Sequence, residues 1–135
     1  MQHEKDLVNV AISMLNRSYA PYSHFCVGAA LECEDGQIYT GCNVENAAFS
    51  STICAERTAL VKAVSEGKHR FRRIAIAGSG DGYCWPCGVC RQMLSEFSPN
   101  LEILVVSGQS EHYKKTTLDI LLPHSFDADQ LTSQE

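Results

Sequence analysis

The chain has 135 residues, 44% of them hydrophobic, enough for one core of ordinary size, and one domain across 1–135 is expected. Its formal charge is -5, and its 11 lysines and arginines form no stripe that would neutralise a row of phosphates, which argues against a nucleic-acid partner. No stretch has the apolar length of a membrane helix, and the opening Met1-Gln2-His3-Glu4-Lys5-Asp6 is polar where a signal peptide needs an apolar run, so a soluble, cytoplasmic protein is expected.

Leu7, Ala11, Met14, Leu15 and Ser18 recur at helical spacing and predict a first amphipathic helix that Pro21 closes. Two apolar runs follow, Cys26 to Cys33 and Gln37 to Val44. Glu34-Asp35-Gly36 joins them, and its Asp-Gly pair is a strong hairpin signal. Ser51 or Thr52 is suited to cap a helix that buries Ala55, Ala59, Leu60, Ala63 and Val64 and ends at Gly67, which puts Cys54 in the helix's first turn. Ile74 to Ala77 reads as a buried strand, and Pro86 opens a second helix through Phe97. Glu102 to Val106 is a further strand, Lys114 to Thr117 a weaker one, and Leu118 to Leu122 a short helix stopped by Pro123; the polar tail beyond is peripheral. Strands alternating with helices after an opening hairpin predict an α/β protein: a three-layer α/β/α sandwich on a mixed sheet of about five strands.

Seven cysteines cannot all pair, and clustered thiols in a cytosolic chain point to metal binding or catalysis. In Pro86-Cys87-Gly88-Val89-Cys90 two thiols stand at i and i+3, where the first turn of a helix aims both at one ion. Such a pair alone fits a redox dithiol or two buried thiols equally well. Cys54-Ala55-Glu56 adds a third thiol 33 positions upstream, at the start of another helix. Helix N-termini stabilise thiolates, and three protein ligands leave zinc's fourth position for water, the arrangement of a catalytic site. Glu56, two residues after a ligand, is placed to move the water's proton without binding the metal. By itself it is equally an acid favoured by the helix dipole.

These residues resemble the cytidine deaminases. The likeness is carried by Tyr22-Ser23-His24-Phe25, Val27-Gly28-Ala29-Ala30-Leu31, Gly41-Cys42-Asn43-Val44-Glu45-Asn46-Ala47, Cys54-Ala55-Glu56-Arg57-Thr58-Ala59 and Pro86-Cys87-Gly88-Val89-Cys90-Arg91-Gln92. The resemblance implies one zinc per chain on Cys54, Cys87 and Cys90, and hydrolysis of cytidine and deoxycytidine to uridine and deoxyuridine plus ammonia. Zinc-bound hydroxide would attack C4 with Glu56 as proton shuttle, a reaction of pyrimidine salvage. It further implies that Asn43 and Glu45 bind the ribose hydroxyls, Phe25 packs beside base or sugar, and the backbone of Ala55 meets the ring carbonyl or N3 region. Arg57 would donate hydrogen bonds to the thiolates, offsetting the negative charge that three of them leave on zinc. Phe126 is similar to the aromatic that short-chain members insert into a neighbouring subunit's site, which implies a homotetramer.

Two residues depart from the family pattern. Trp85 stands where a small polar residue is usual, and Phe49 replaces a frequent Tyr. Trp85 changes the shape of the site, while its backbone carbonyl remains able to accept from the leaving amino group. Other readings compete: Cys84-Trp85-Pro86-Cys87 is also a redox pattern, and Cys84, Cys87 and Cys90 mimic part of an iron-sulfur run, without the fourth cysteine and proline. A structural zinc module would draw its fourth ligand from Cys42, Cys84 or His24. An enzyme for a modified nucleoside, such as an antibiotic, or for cytosine in nucleic acid is the nearest rival within the deaminases, and the net acidity disfavours the polymer.

Overall fold

The computed structural model describes residues 2–108 and 110–132. In chain order it holds α1 (Gln2–Ser13), β1 (Val27–Cys33), β2 (Ile38–Cys42), α2 (Ala55–Ser65), β3 (Phe71–Gly78), α3 (Gly88–Phe97), β4 (Glu102–Val106), β5 (Tyr113–Thr117), α4 (Leu118–Leu121) and α5 (Ala128–Thr132). The expected helix to Ser18 ends sooner as an α-helix. Leu7, Val8 and Ala11 are buried, whereas Met14 and Leu15 are only half-buried, and that last stretch tightens into a 3-10 turn over Met14–Arg17.

The hairpin forms at its Asp-Gly signal. Gly36 takes φ 93°, a conformation that costs other residues, and the Asp35 carboxylate accepts from the Gln37 N–H at 2.9 Å. β1 then pairs antiparallel with both β2 and β3, β3 runs parallel to β4, and β5 closes the far edge antiparallel, giving the order β2-β1-β3-β4-β5. The single parallel pair needs a crossover, and α3 supplies it.

Period-two alternation sends each strand's side chains to two different layers. Leu31, Ile74, Ile76, Ile103 and Val105 pack under α2, α3 and α4 with Leu60 and Leu94. Ala30, Ala75 and Ala77 on the opposite face, with Leu104 and Val106, receive α1. The small residues there let α1 come close: a Cβ on Gly28 would collide with the Ala11 carbonyl. This is the expected α/β/α sandwich on a mixed sheet. Among the described residues no helix is long and apolar enough to cross a membrane.

Both functional helices begin later than their sequence signals suggest. Val44 and Ile53 form an isolated antiparallel bridge, exchanging hydrogen bonds of 2.9 Å, which keeps Ile53 extended. Ser51 therefore stays in a separate 3-10 turn, the Thr52 hydroxyl accepts from the Asn46 N–H instead of capping, and Cys54 itself is the N-cap of α2. Pro86 likewise stays outside α3, whose N-cap is Cys87. Gly67, at φ 91°, ends the first of these helices as expected.

Candidate active site

The strand registers decide which loops meet. Val27 pairs with Gly78 and Gly28 with Cys42, so the start of β1 and the ends of β2 and β3 share one edge of the sheet. The N-termini of α2 and α3 follow from that edge, and a cavity of about 180 Å³ opens between them, with Cys54, Ala55, Glu56 and Cys87 in its wall. A larger surface hollow, about 900 Å³ and lined by His69, Arg70 and Phe97 among others, contains none of the expected site residues.

Three sulfurs converge there. Cys54 Sγ lies 3.6 Å from Cys87 Sγ, Cys87 Sγ lies 3.3 Å from Cys90 Sγ, and all three fall within 4.8 Å of one another. Zinc–sulfur bonds of about 2.3 Å at tetrahedral angles hold sulfurs about 3.8 Å apart, so this triangle is of the right size for one zinc. Among the described residues, no Cys42, Cys84, His24 or Glu56 atom joins that group. A fourth protein ligand is thus not at hand for a closed structural site.

Charge is shared unevenly among the thiols. Cys54 is pulled down to about 5 by hydrogen bonds from Cys90, Arg57 and Cys87, against the effect of burial. Cys90, which donates a hydrogen bond to Cys54 and is buried, is pushed up. One thiolate is stable there unaided, and a divalent cation would be needed to hold three. Arg57 reinforces this fit: its Nη2 donates to the Cys54 sulfur at 3.5 Å and to the Thr52 carbonyl at 3.2 Å, and its buried Nε has no oxygen or nitrogen partner.

Glu56 is 4% exposed, and burial raises its carboxyl from the ordinary range to about 7, with the neighbouring Cys54 thiolate adding to the rise. Ala55, fully buried, is the first residue of α2, so its N–H belongs to the turn for which a helix provides no internal acceptor. The remaining expected contacts divide. Phe25 and Asn43 line the cavity, the Phe25 ring lying where a Cβ on Gly78 would come within 2.9 Å of it. Asn43 also pins the adjoining loop, donating to the Phe25 carbonyl at 2.8 Å and accepting from the Val27 N–H at 2.9 Å.

Glu45 does not line that cavity. Its carboxylate accepts from the N–H groups of Tyr22 and Ser23 at 3.0 and 3.1 Å and from the Ser23 hydroxyl, and these bonds keep it below the ordinary carboxylate value. Phe126 is outside its own chain's cavity, half exposed, with its carbonyl held by Gln92 at 2.9 Å. Sequence reasoning missed two fasteners, Ser23 and Arg91. Arg91 joins the Pro86 carbonyl at 2.8 Å to the Leu121 carbonyl at 3.0 Å, and its place just after Cys90 in the motif was the available signal.

Thiols from two helix starts, on an α/β sandwich and beside a buried carboxyl, match a catalytic zinc centre with an open coordination position. The family model described as "Cytidine and deoxycytidylate deaminase zinc-binding region" matches residues 1–106. A cytidine deaminase of Sporosarcina psychrophila is 45% identical over 116 residues, 86% of this chain and 85% of that protein. A probable cytidine deaminase of Dictyostelium discoideum is 41% identical over 94% of this chain and 86% of its own length. The crystal structure of cytidine deaminase from Burkholderia pseudomallei superposes with a TM-score of 0.86 at 41% identity, covering 93% of this chain and 100% of that one. The chain belongs to the cytidine and deoxycytidylate deaminase family and is a zinc-dependent hydrolase.

Proposed function

We propose that the chain hydrolyses the 4-amino group of free cytidine and deoxycytidine, releasing ammonia and leaving uridine or deoxyuridine, and that Glu56 carries the protons. The observation that supports this most is the convergence of three sulfurs, two of them in the wall of a small cavity that also carries one buried carboxyl. Bound by Cys54, Cys87 and Cys90, zinc supplies Lewis-acid activation of water.

Glu56 takes a proton from the attacking water and delivers it to ring N3, and the second water proton leaves with the C4 amino group as ammonia. A carboxyl that burial raises above the ordinary carboxylate range is suited to both halves of that task at neutral pH. The Ala55 N–H, at the positive end of α2, is oriented for the ring carbonyl. Phe25 packs beside the ring. Asn43 keeps one N–H and one lone pair, and Glu45 one lone pair on the oxygen that meets the Ser23 hydroxyl, for the sugar hydroxyls. Fastening and recognition therefore use the same two side chains, so sugar binding and order in the Tyr22–Val27 loop are linked.

The reading extends to assembly. Phe126 would complete a neighbour's site in a homotetramer, for which the exposed Val44, Ile53 and Val61 around a hollow of about 470 Å³ offer apolar surface. Residues 1–135 act as one domain, and pyrimidine salvage in the cytoplasm is the corresponding role.

The test is direct. Cytidine incubated with the purified protein loses its ultraviolet absorbance, with one zinc per chain by metal analysis. Glu56→Gln lowers kcat at least about a hundredfold while zinc stays bound. Zinc-replete wild type that leaves cytidine intact overturns the proposal.

A further inference from the structure

Trp85 is the chain's single tryptophan, and the fold holds it where the core has no use for it. The residue is 46% exposed, yet its backbone is fastened on both sides. Tyr83 bridges to Ser107 just past β4, the Cys84 N–H donates to the Val106 carbonyl at 3.3 Å, and Arg91 Nε grips the Pro86 carbonyl at 2.8 Å. The indole is braced as well: its centroid lies 6.5 Å from the Tyr83 ring at 49°, and Lys114 Nζ sits 4.5 Å over that tyrosine. Trp85 lines the cavity that holds Glu56, and Phe25 lines the same cavity.

A tryptophan left half in water where it lines a small cavity has aromatic surface uncovered, and every nucleobase has a π face to meet one. We propose that Trp85 is a wall of the substrate site, contacting the pyrimidine ring and setting affinity for the base rather than the rate of its chemistry. The inference rests on the deaminase reading. Trp85 is bonded to none of the groups assigned to proton transfer, so its contact is made equally with bound substrate and transition state, which changes KM and leaves kcat nearly alone.

Because no other tryptophan emits, indole fluorescence reports on this one position. Zinc-loaded Glu56→Gln protein titrated with cytidine shows a saturable change in tryptophan emission whose midpoint matches the Kd from equilibrium dialysis. Trp85→Ala raises KM about tenfold with kcat changed less than about threefold, and Trp85→Phe restores most of the loss. Silent emission while dialysis shows cytidine bound overturns the proposal, as does a Trp85→Ala enzyme with unchanged KM. Should the alanine variant fail to fold, the fluorescence titration alone decides. Failure of the deaminase reading looks different: wild type leaves cytidine intact and dialysis finds none bound, and both conclusions fall together.

Discussion

Arg57 occupies the point where charge at the site is balanced. It is the one described cation bonded to a cluster sulfur, and the same guanidinium group holds the Thr52 carbonyl that leads into α2. Arg57→Ala should therefore weaken zinc retention by about ten- to a hundredfold, the usual cost of losing a partner that orients a metal ligand. With its positive charge gone, the activated water ionises less readily, and the acid limb of the pH-rate profile moves to higher pH. Metal content after dialysis and the pH-rate profile check this, and wild-type values in both contradict it. Glu56 and the three cysteines were legible in the sequence because i, i+3 spacing and a Cys-x-Glu triplet carry chemistry on any helix start. Asn43, Glu45 and Arg57 were legible only through the family resemblance. Each is a common residue in a common local pattern, and its role depends on loops brought together by strand register.

Between elements, the decisive contact is α2 lying on β2. A Cβ added at Gly41 would meet the Ala55 carbonyl and stand 2.6 Å from the Ala59 nitrogen, so the strand and the first turn of the helix touch backbone to backbone. Gly41→Ala should cost about 1–3 kcal/mol by overpacking, visible as a lower Tm. Since the displaced turn carries Cys54 and Glu56, zinc content should fall with it. Unchanged Tm together with full zinc would show that the helix shifts without consequence. Helix and strand identities were readable from periodicity as far as α4, whereas α5 lies in what reads as a polar tail, and helix starts were not readable. Ser51 and Thr52 have the chemistry of caps, and the Val44–Ile53 bridge, a contact between distant loops, outcompetes them.

For the molecule as a whole, a polar network ties the first turn of α1 to the sheet. Glu4 accepts from the Tyr113 hydroxyl at 2.7 Å and Lys115 Nζ at 2.8 Å, while Arg73 Nε lies 3.2 Å from the buried Glu32 carboxylate, which also meets His3 at 2.7 Å. Lys115 and then Tyr113 hold the Glu4 carboxyl below its ordinary value of 4.5. A depressed carboxylate stabilises the fold fully above that ordinary value and loses its contribution as pH falls through the folded one. Glu4→Gln should thus lower Tm at neutral pH, and the gap to wild type should narrow as pH drops below about 4.5, a trend that thermal melts across the acid range can refute. The placement of Cys54 and Cys87, 33 residues apart and each heading a helix with no side-chain cap of its own, has a further consequence. An ion gripping both closes the intervening chain into a loop, as a covalent cross-link would, but one that a chelator can undo. Stripping the protein should lower its melting temperature, free the amide hydrogens at the heads of both helices for exchange, and make refolding depend on how much free zinc the buffer holds.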